Sequence, residues 1–265
     1  MRYDKIILYD TSNHIKYTLH PIQHMSIQIH PCQNPFPIIL QEMFSLFFNY
    51  REPLDQIHTL LDTSTLTQED KDYHKKLHEW KKDRESIFVK RFHEYVDKYT
   101  RFQDEYHQFI REYIKPLFPE ETHLAIQKTP NIRFSLPQNA AIGCDPSDPP
   151  EIVGLHCDRD FGHHPTEQNF IIPITPMFST NSIFYDPDHN VPSITYPLQF
   201  VPLILDTTQF AQAYFNQIRH CNRINQTDQT RISFDIRIIP FSQYQQHIQH
   251  FKGTKFELGK YYVVL

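Results

Sequence analysis

The chain has 265 residues and a formal net charge of −5, enough material for a sizeable core and no global basic field to invite nucleic acid. It holds 5 glycines against 20 prolines, and neither GxGxxG nor GxxxxGKS/T occurs, which excludes a Rossmann dinucleotide site and a P-loop. MRYDKIILYD lacks the apolar run of a secretion signal, no segment reads as a membrane span, and four cysteines (Cys32, Cys144, Cys157, Cys221) without CxxC spacing imply reduced thiols and a cytoplasmic protein.

In chain order, residues 5–9 read as a strand, and the apolar run 38–48 reads as a buried helix after a proline-punctuated loop. Thr67 followed by Asp70 resembles the start of a capping box. Phe88, Phe92, Tyr95, Tyr99, Phe102, Tyr106, Phe109 and Tyr113 then recur at spacings of four and three. Leu77 and Trp80 extend this stripe backwards and Pro116 ends it, which predicts one long amphipathic helix. The stripe fits a helix packed on a sheet better than a coiled-coil seam. His74, His78, His93 and His107 in this charged stretch read as solvated.

Beyond residue 120 the texture becomes β. Short segments rich in Ile, Val, Phe, Tyr and Thr occupy 124–136, 151–158, 169–174, 182–185, 198–204, 211–219, 231–239 and 260–265, with turn residues between them. This predicts a sandwich or barrel in 121–265, buttressed by a mainly helical part in 1–120, within one α+β domain. No repeat or linker separates the two parts.

His156 and Asp158 are two apart at the end of a strand-like segment, so alternation turns both to one face. Asp160 shares that face as a rival carboxylate. Cys157, like Cys221 after His220, points the other way, which argues against a mixed His/Cys zinc site. His163 and His164 fall in the following turn, with His164 read as solvated. His220 closes the strand-like run FAQAYFNQIRH, and RISFDIRII follows after a turn. Its alternation sets Arg231, Ser233, Asp235 and Arg237 opposite Ile232, Phe234, Ile236 and Ile238. The polar side faces either solvent or a polar cavity. Two histidines and one carboxylate are the set that forms a three-point facial metal site with open positions, and an arginine fork suits a buried carboxylate.

The segments HCDRDFGHHPTEQNFIIPIT, TNSIFYD and RHCNRINQTDQTRISFDIR, within about residues 123–240, resemble the Fe(II)/2-oxoglutarate-dependent oxygenases, in particular the bacterial natural-product branch that includes streptomycin-biosynthesis oxygenases. The resemblance implies a double-stranded β-helix, the cupin-like jelly roll. It assigns iron to His156, Asp158 and His220, and the 2-oxoglutarate anchor to Arg231 with Ser233, with Asn181 as a further cofactor-binding candidate. Gln127, Arg133, Phe161, His163 and Asn169 are candidates for substrate contact. The implied cofactors are Fe(II), 2-oxoglutarate and O2, and the implied dioxygenase reaction is hydroxylation of a small polar metabolite with release of succinate and CO2. Protein or peptide hydroxylation and a non-catalytic jelly-roll binding protein are the alternatives. Halogenation is disfavoured, because the halogenating branch replaces the carboxylate that Asp158 retains.

Overall fold

The computed structural model describes residues 6–10, 15–19, 27–80, 86–139, 152–187 and 200–265. A first hairpin pairs β1 (Ile6–Asp10) with β2 (Ile15–Leu19). Next comes β3 (Gln28–Pro31), an edge strand, and then α1 (Phe36–Phe48), which ends on Asn49 in the left-handed region at φ 50°. Asparagine tolerates that conformation better than most residues with a Cβ.

The helical part is folded more tightly than the aromatic stripe predicts. After a 3-10 turn over Leu54–Asp62, α2 (Gln68–Trp80) starts as expected, with the Asp70 N–H bonded to Thr67 Oγ1 at 3.1 Å. In place of a continuous helix come α3 (Ile87–Tyr95), capped by Ser86 Oγ on the Val89 N–H, and α4 (Thr100–Phe109), with a 3-10 turn and a non-helical Tyr99 between them. A straight helix over 77–113 would run about 55 Å, beyond the width of the sheet it must cover. The break lets Phe88, Phe92, Phe102, Tyr106 and Phe109 all stay buried. His74 is buried as well, against the expectation of solvation, with its ring 6.0 Å from that of Phe88.

The stretch 124–136 divides into β4 (Leu124–Gln127) and β5 (Asn131–Ser135). Then follow β6 (Val153–His156), β7 (Gln168–Pro173), β8 (Ile183–Tyr185), β9 (Val201–Pro202), β10 (Gln209–Ala213), β11 (His220–Asn222) and the long β12 (Arg231–Pro240). Two short helices, α5 (Phe241–Gln246) and α6 (Ile248–Phe251), lead to β13 (Tyr262–Val264).

All pairings between the described strands are antiparallel. The larger sheet runs β13-β4-β12-β7-β10-β3, with β5 beside the first half of β12, and the smaller runs β6-β11-β8-β9. From β5 to β12 the chain passes back and forth between the two sheets. Because β3 pairs with β10, the N-terminal part supplies a strand as well as helices. The apolar face of β12 lies under those helices: the Phe234 ring sits 5.2 Å from Phe36, 5.7 Å from Phe92 and 5.6 Å from Phe102. Its polar face turns inward between the sheets. Among the described residues no helix is long and apolar enough to cross a membrane.

Candidate metal centre

Strand β6 carries a bulge where it meets β11. His156 lies opposite His220 and Val153 opposite Asn222, so two residues on one strand face one on the other. Gly154 absorbs the extra residue at φ 66°, a conformation that favours glycine. Its carbonyl then lies 2.6 Å from Nδ1 of His156. His220 repeats the arrangement, with Nδ1 3.2 Å from the Ile218 carbonyl and the Phe215 ring stacked on its face at 4.1 Å. Each carbonyl fixes the proton on Nδ1 and leaves the Nε2 lone pair for a ligand.

Those two Nε2 atoms approach one oxygen. Asp158 Oδ1 lies 3.5 Å from Nε2 of His156 and 3.8 Å from Nε2 of His220, and the three groups offer ligand atoms all within 4.8 Å of one another. Asp158 is not on the strand, as alternation assumed. It opens a 3-10 turn, Asp158–Phe161, after an extended Cys157, which preserves the shared side. The rival carboxylate is engaged elsewhere: Asp160 is exposed and its Oδ2 accepts from the Cys157 N–H at 2.9 Å. Cys157 and Cys221 are buried away from this cluster, Cys157 with its Sγ 3.7 Å from the Gln217 carbonyl. His220 does not close the preceding strand. A turn after β10 intervenes, and His220 opens β11.

The second oxygen of Asp158 is held from behind. Oδ2 accepts from Asn169 Nδ2 at 2.8 Å and from Arg237 Nη2 at 3.0 Å. Burial pushes the Asp158 carboxyl up, but Arg237, followed by His156 and His220, reverses this and holds it well below the usual carboxylate range. Burial pushes the His220 imidazole down to about 4, against an opposing pull from Asp158, so it is neutral near pH 7, as a metal ligand must be.

The four inward residues of β12, Arg231, Ser233, Asp235 and Arg237, are buried and line the same narrow cleft as the cluster, which has a volume of about 30 Å³. The choice between solvent and cavity is thus settled for the cavity. Arg231 is 1% exposed and donates from Nη2 to Asn222 Oδ1 at 3.3 Å. Asn222 lies two residues beyond His220, about 6.6 Å along a strand, so the guanidinium sits one side-chain step from the cluster.

The remaining candidates scatter. Arg133, opposite Ser233 on β5, lines the cleft. Phe161 is 59% exposed with its ring 5.0 Å from His156, at the rim. Asn169 bonds Asp158 and Asp235, so its amide serves the carboxylates. Gln127 is no cleft residue; its Oε1 accepts from the Arg237 N–H at 3.1 Å, where β4 and β5 diverge along β12. Asn181 is likewise spent locally, accepting from the Phe178 N–H at 2.7 Å. His163 meets Glu167 at 2.8 Å, and His164 is buried with its ring 4.8 Å from those of both His247 and His250, against the expectation of solvation. Sequence reasoning missed Gly154, Glu167, Phe215 and Asn222. Only Gly154 carried a signal, as an isolated glycine in a strand pattern.

No family model matches the chain. Among curated proteins the chain is similar to the streptomycin biosynthesis protein StrG of Streptomyces griseus, 24% identical over 183 residues that make up 68% of this chain and 77% of StrG. Among solved structures it is similar to the nickel complex of the non-heme monooxygenase ThoJ, with TM-score 0.33 and 17% identity over 44% of this chain and 45% of that one. It is also similar to SnoK, a non-heme alpha ketoglutarate dependent carbocyclase from nogalamycin biosynthesis, with TM-score 0.32 and 9% identity over 44% of this chain and 50% of that one. The chain spans about half the length of these solved structures.

Proposed function

We propose that this protein is an Fe(II)- and 2-oxoglutarate-dependent oxygenase on a jelly-roll scaffold, hydroxylating a small polar metabolite with release of succinate and CO2. The observation that carries the reading is the convergence of two imidazole Nε2 atoms and one carboxylate oxygen from β6, the turn after it and β11. Both His–Asp spacings are less than twice a metal–ligand bond of about 2.1 Å, so one ion can touch each pair. Two imidazoles with Nδ1 anchored and a carboxylate with Oδ2 already bonded match the donor set of a facial site that leaves three positions open.

Iron bound there supplies O2 activation coupled to oxidative decarboxylation of the 2-oxo acid. The chain's own part is binding and orientation. His156, Asp158 and His220 hold the ion. Arg231 and Ser233, which line the same cleft as the ligands, would receive the far carboxylate of the co-substrate. Burial of Asp158 and His220 excludes water from the metal side. The passage of the chain between two antiparallel sheets supports the jelly roll. The likeness to StrG supports a place in natural-product metabolism. The narrowness of the cleft favours a small substrate over a peptide.

The test is anaerobic addition of Fe(II) and 2-oxoglutarate to the purified protein. A weak visible charge-transfer band, and succinate once air is admitted, are expected. Iron binding with neither band nor succinate would overturn the reading in favour of a non-catalytic jelly roll.

A further inference from the structure

Behind the candidate ligand Asp158 lies a buried charged assembly that the function proposed above does not use. Arg237 reaches three carboxylates: Asp158 Oδ2 at 3.0 Å, Asp235 Oδ2 at 3.1 Å and Glu167 Oε1 at 3.2 Å. All four side chains are buried, Glu167 completely. Glu167 in turn accepts from the Tyr262 hydroxyl on β13, and His163 Nδ1 lies 2.8 Å from its other oxygen. Asn169 joins Asp158 to Asp235 from β7. The backbone N–H of Arg237 is itself held by Gln127.

We propose that Arg237, backed by Glu167, is a positioning residue for the metal-binding carboxylate, not an anchor for the co-substrate; this rests on the iron reading above. The geometry is specific. An aspartate free to rotate can present either oxygen to an ion or chelate it with both. Here Oδ2 is committed to the guanidinium and the Asn169 amide, so Oδ1 alone faces the two imidazoles. Were an ion bound, coordination through Oδ1 alone would leave room beside it for a chelating 2-oxo acid. Glu167 beside Nε and Asp235 beside Nη2 hold the guanidinium by charge, and the Nη2 hydrogen bond to Asp158 gives it direction.

One guanidinium serving three buried carboxylates also leaves an excess of negative charge beside the imidazoles. A divalent cation at Oδ1 would offset it. Removing Arg237 deepens that excess, so a loss of metal affinity reports the freed Asp158 Oδ2 and not the lost charge.

The experiment titrates Fe(II) anaerobically into wild type, Arg237→Met, Arg237→Lys, Glu167→Gln, Asp158→Ala and the Asp158→Ala/Arg237→Met double variant, then titrates 2-oxoglutarate into each iron-saturated protein. Arg237→Met is expected to weaken Fe(II) binding by about 10- to 100-fold, the usual effect of losing a partner of a metal ligand, with 2-oxoglutarate affinity unchanged. Arg237→Lys should recover part of the loss, and Glu167→Gln should show a smaller one. In the Asp158→Ala background Arg237→Met should change residual metal binding no further, an outcome that a merely structural role would not give. If Arg237→Met does not fold, the Lys and Gln variants carry the same comparison. Unchanged metal affinity in the Arg237 and Glu167 variants would overturn the proposal while leaving the iron reading intact, as would a loss confined to 2-oxoglutarate. Wild type without Fe(II) affinity would overturn the iron reading itself, and this inference with it.

Discussion

Arg231 serves the cleft through its side chain and Gly154 through its backbone. Arg231 is buried and bonded to Asn222 on the strand that carries His220. Lysine keeps its charge but not its fork, so Arg231→Lys should weaken 2-oxoglutarate binding by about tenfold or more, the worth of one charge-assisted hydrogen bond, while Fe(II) binding stays intact. Isothermal titration of both ligands separates the two. Loss of iron affinity with unchanged 2-oxoglutarate binding would refute the assignment. Gly154 acts through backbone alone. With φ at 66° in the bulge beneath His156, Gly154→Ala should cost about 1–2 kcal/mol in urea unfolding. It should also weaken metal binding, because the carbonyl that holds His156 Nδ1 belongs to this residue. A variant of full stability and full metal affinity would show that the bulge tolerates a Cβ.

Elements behave as their faces dictate. Strand β12 joins helix layer to cleft: Ile232, Phe234, Ile236 and Ile238 are fully buried on one side, and the charged set lies on the other. Phe234 is the point where α1, α3 and α4 meet the sheet, since Phe36, Phe92 and Phe102 all touch it. Phe234→Ala should therefore cost about 3–5 kcal/mol, read as a lower urea midpoint with an unchanged slope. The two faces are one strand, so metal affinity should fall with it if the loosened helices let β12 shift. A cost below about 1 kcal/mol would mean that the helices collapse onto the gap. The helix layer itself was legible as a stripe but not as pieces: periodicity is the same in one long helix and in two short ones, and sheet width decides between them.

At the scale of the whole molecule, the C-terminal helices close over the turn that follows β6. His164 in that turn is 1% exposed and packed between His247, His250 and Phe251. Burial, then His250 and His247, push its imidazole down to about 3. A histidine near 6.5 in the unfolded chain and near 3 in the fold binds fewer protons when folded. The stability it permits is complete above pH 6.5 and is lost as pH falls from there towards 3. His247 is shifted down too, by burial and then by His250, so it adds in the same direction. His164→Gln should flatten the dependence of the urea midpoint on pH between about 4 and 7. An unchanged slope would place the acid sensitivity elsewhere.

Sequence alone determined what depends on local period and side-chain chemistry. The strand pattern beyond residue 120, the capping box at Thr67 and the two faces of β12 follow from spacings of two, three or four residues, which the backbone enforces wherever the chain ends up; the grouping of His156, Asp158 and His220 with Arg231 and Ser233 is implied by the resemblance of their segments to the iron oxygenases and not by spacing. Tertiary structure decided everything that needs a second strand for its meaning. Whether the polar face of β12 met water or a cavity depended on which sheet lay opposite. Asn169 and Gln127 read as substrate contacts because a polar side chain carries no mark of its partner; one bonds Asp158 and the other a backbone N–H. Glu167 and Arg237 stand 70 positions apart and meet only because β7 and β12 are neighbours. Periodicity reports the direction in which a side chain points, and only the packed fold supplies what waits there.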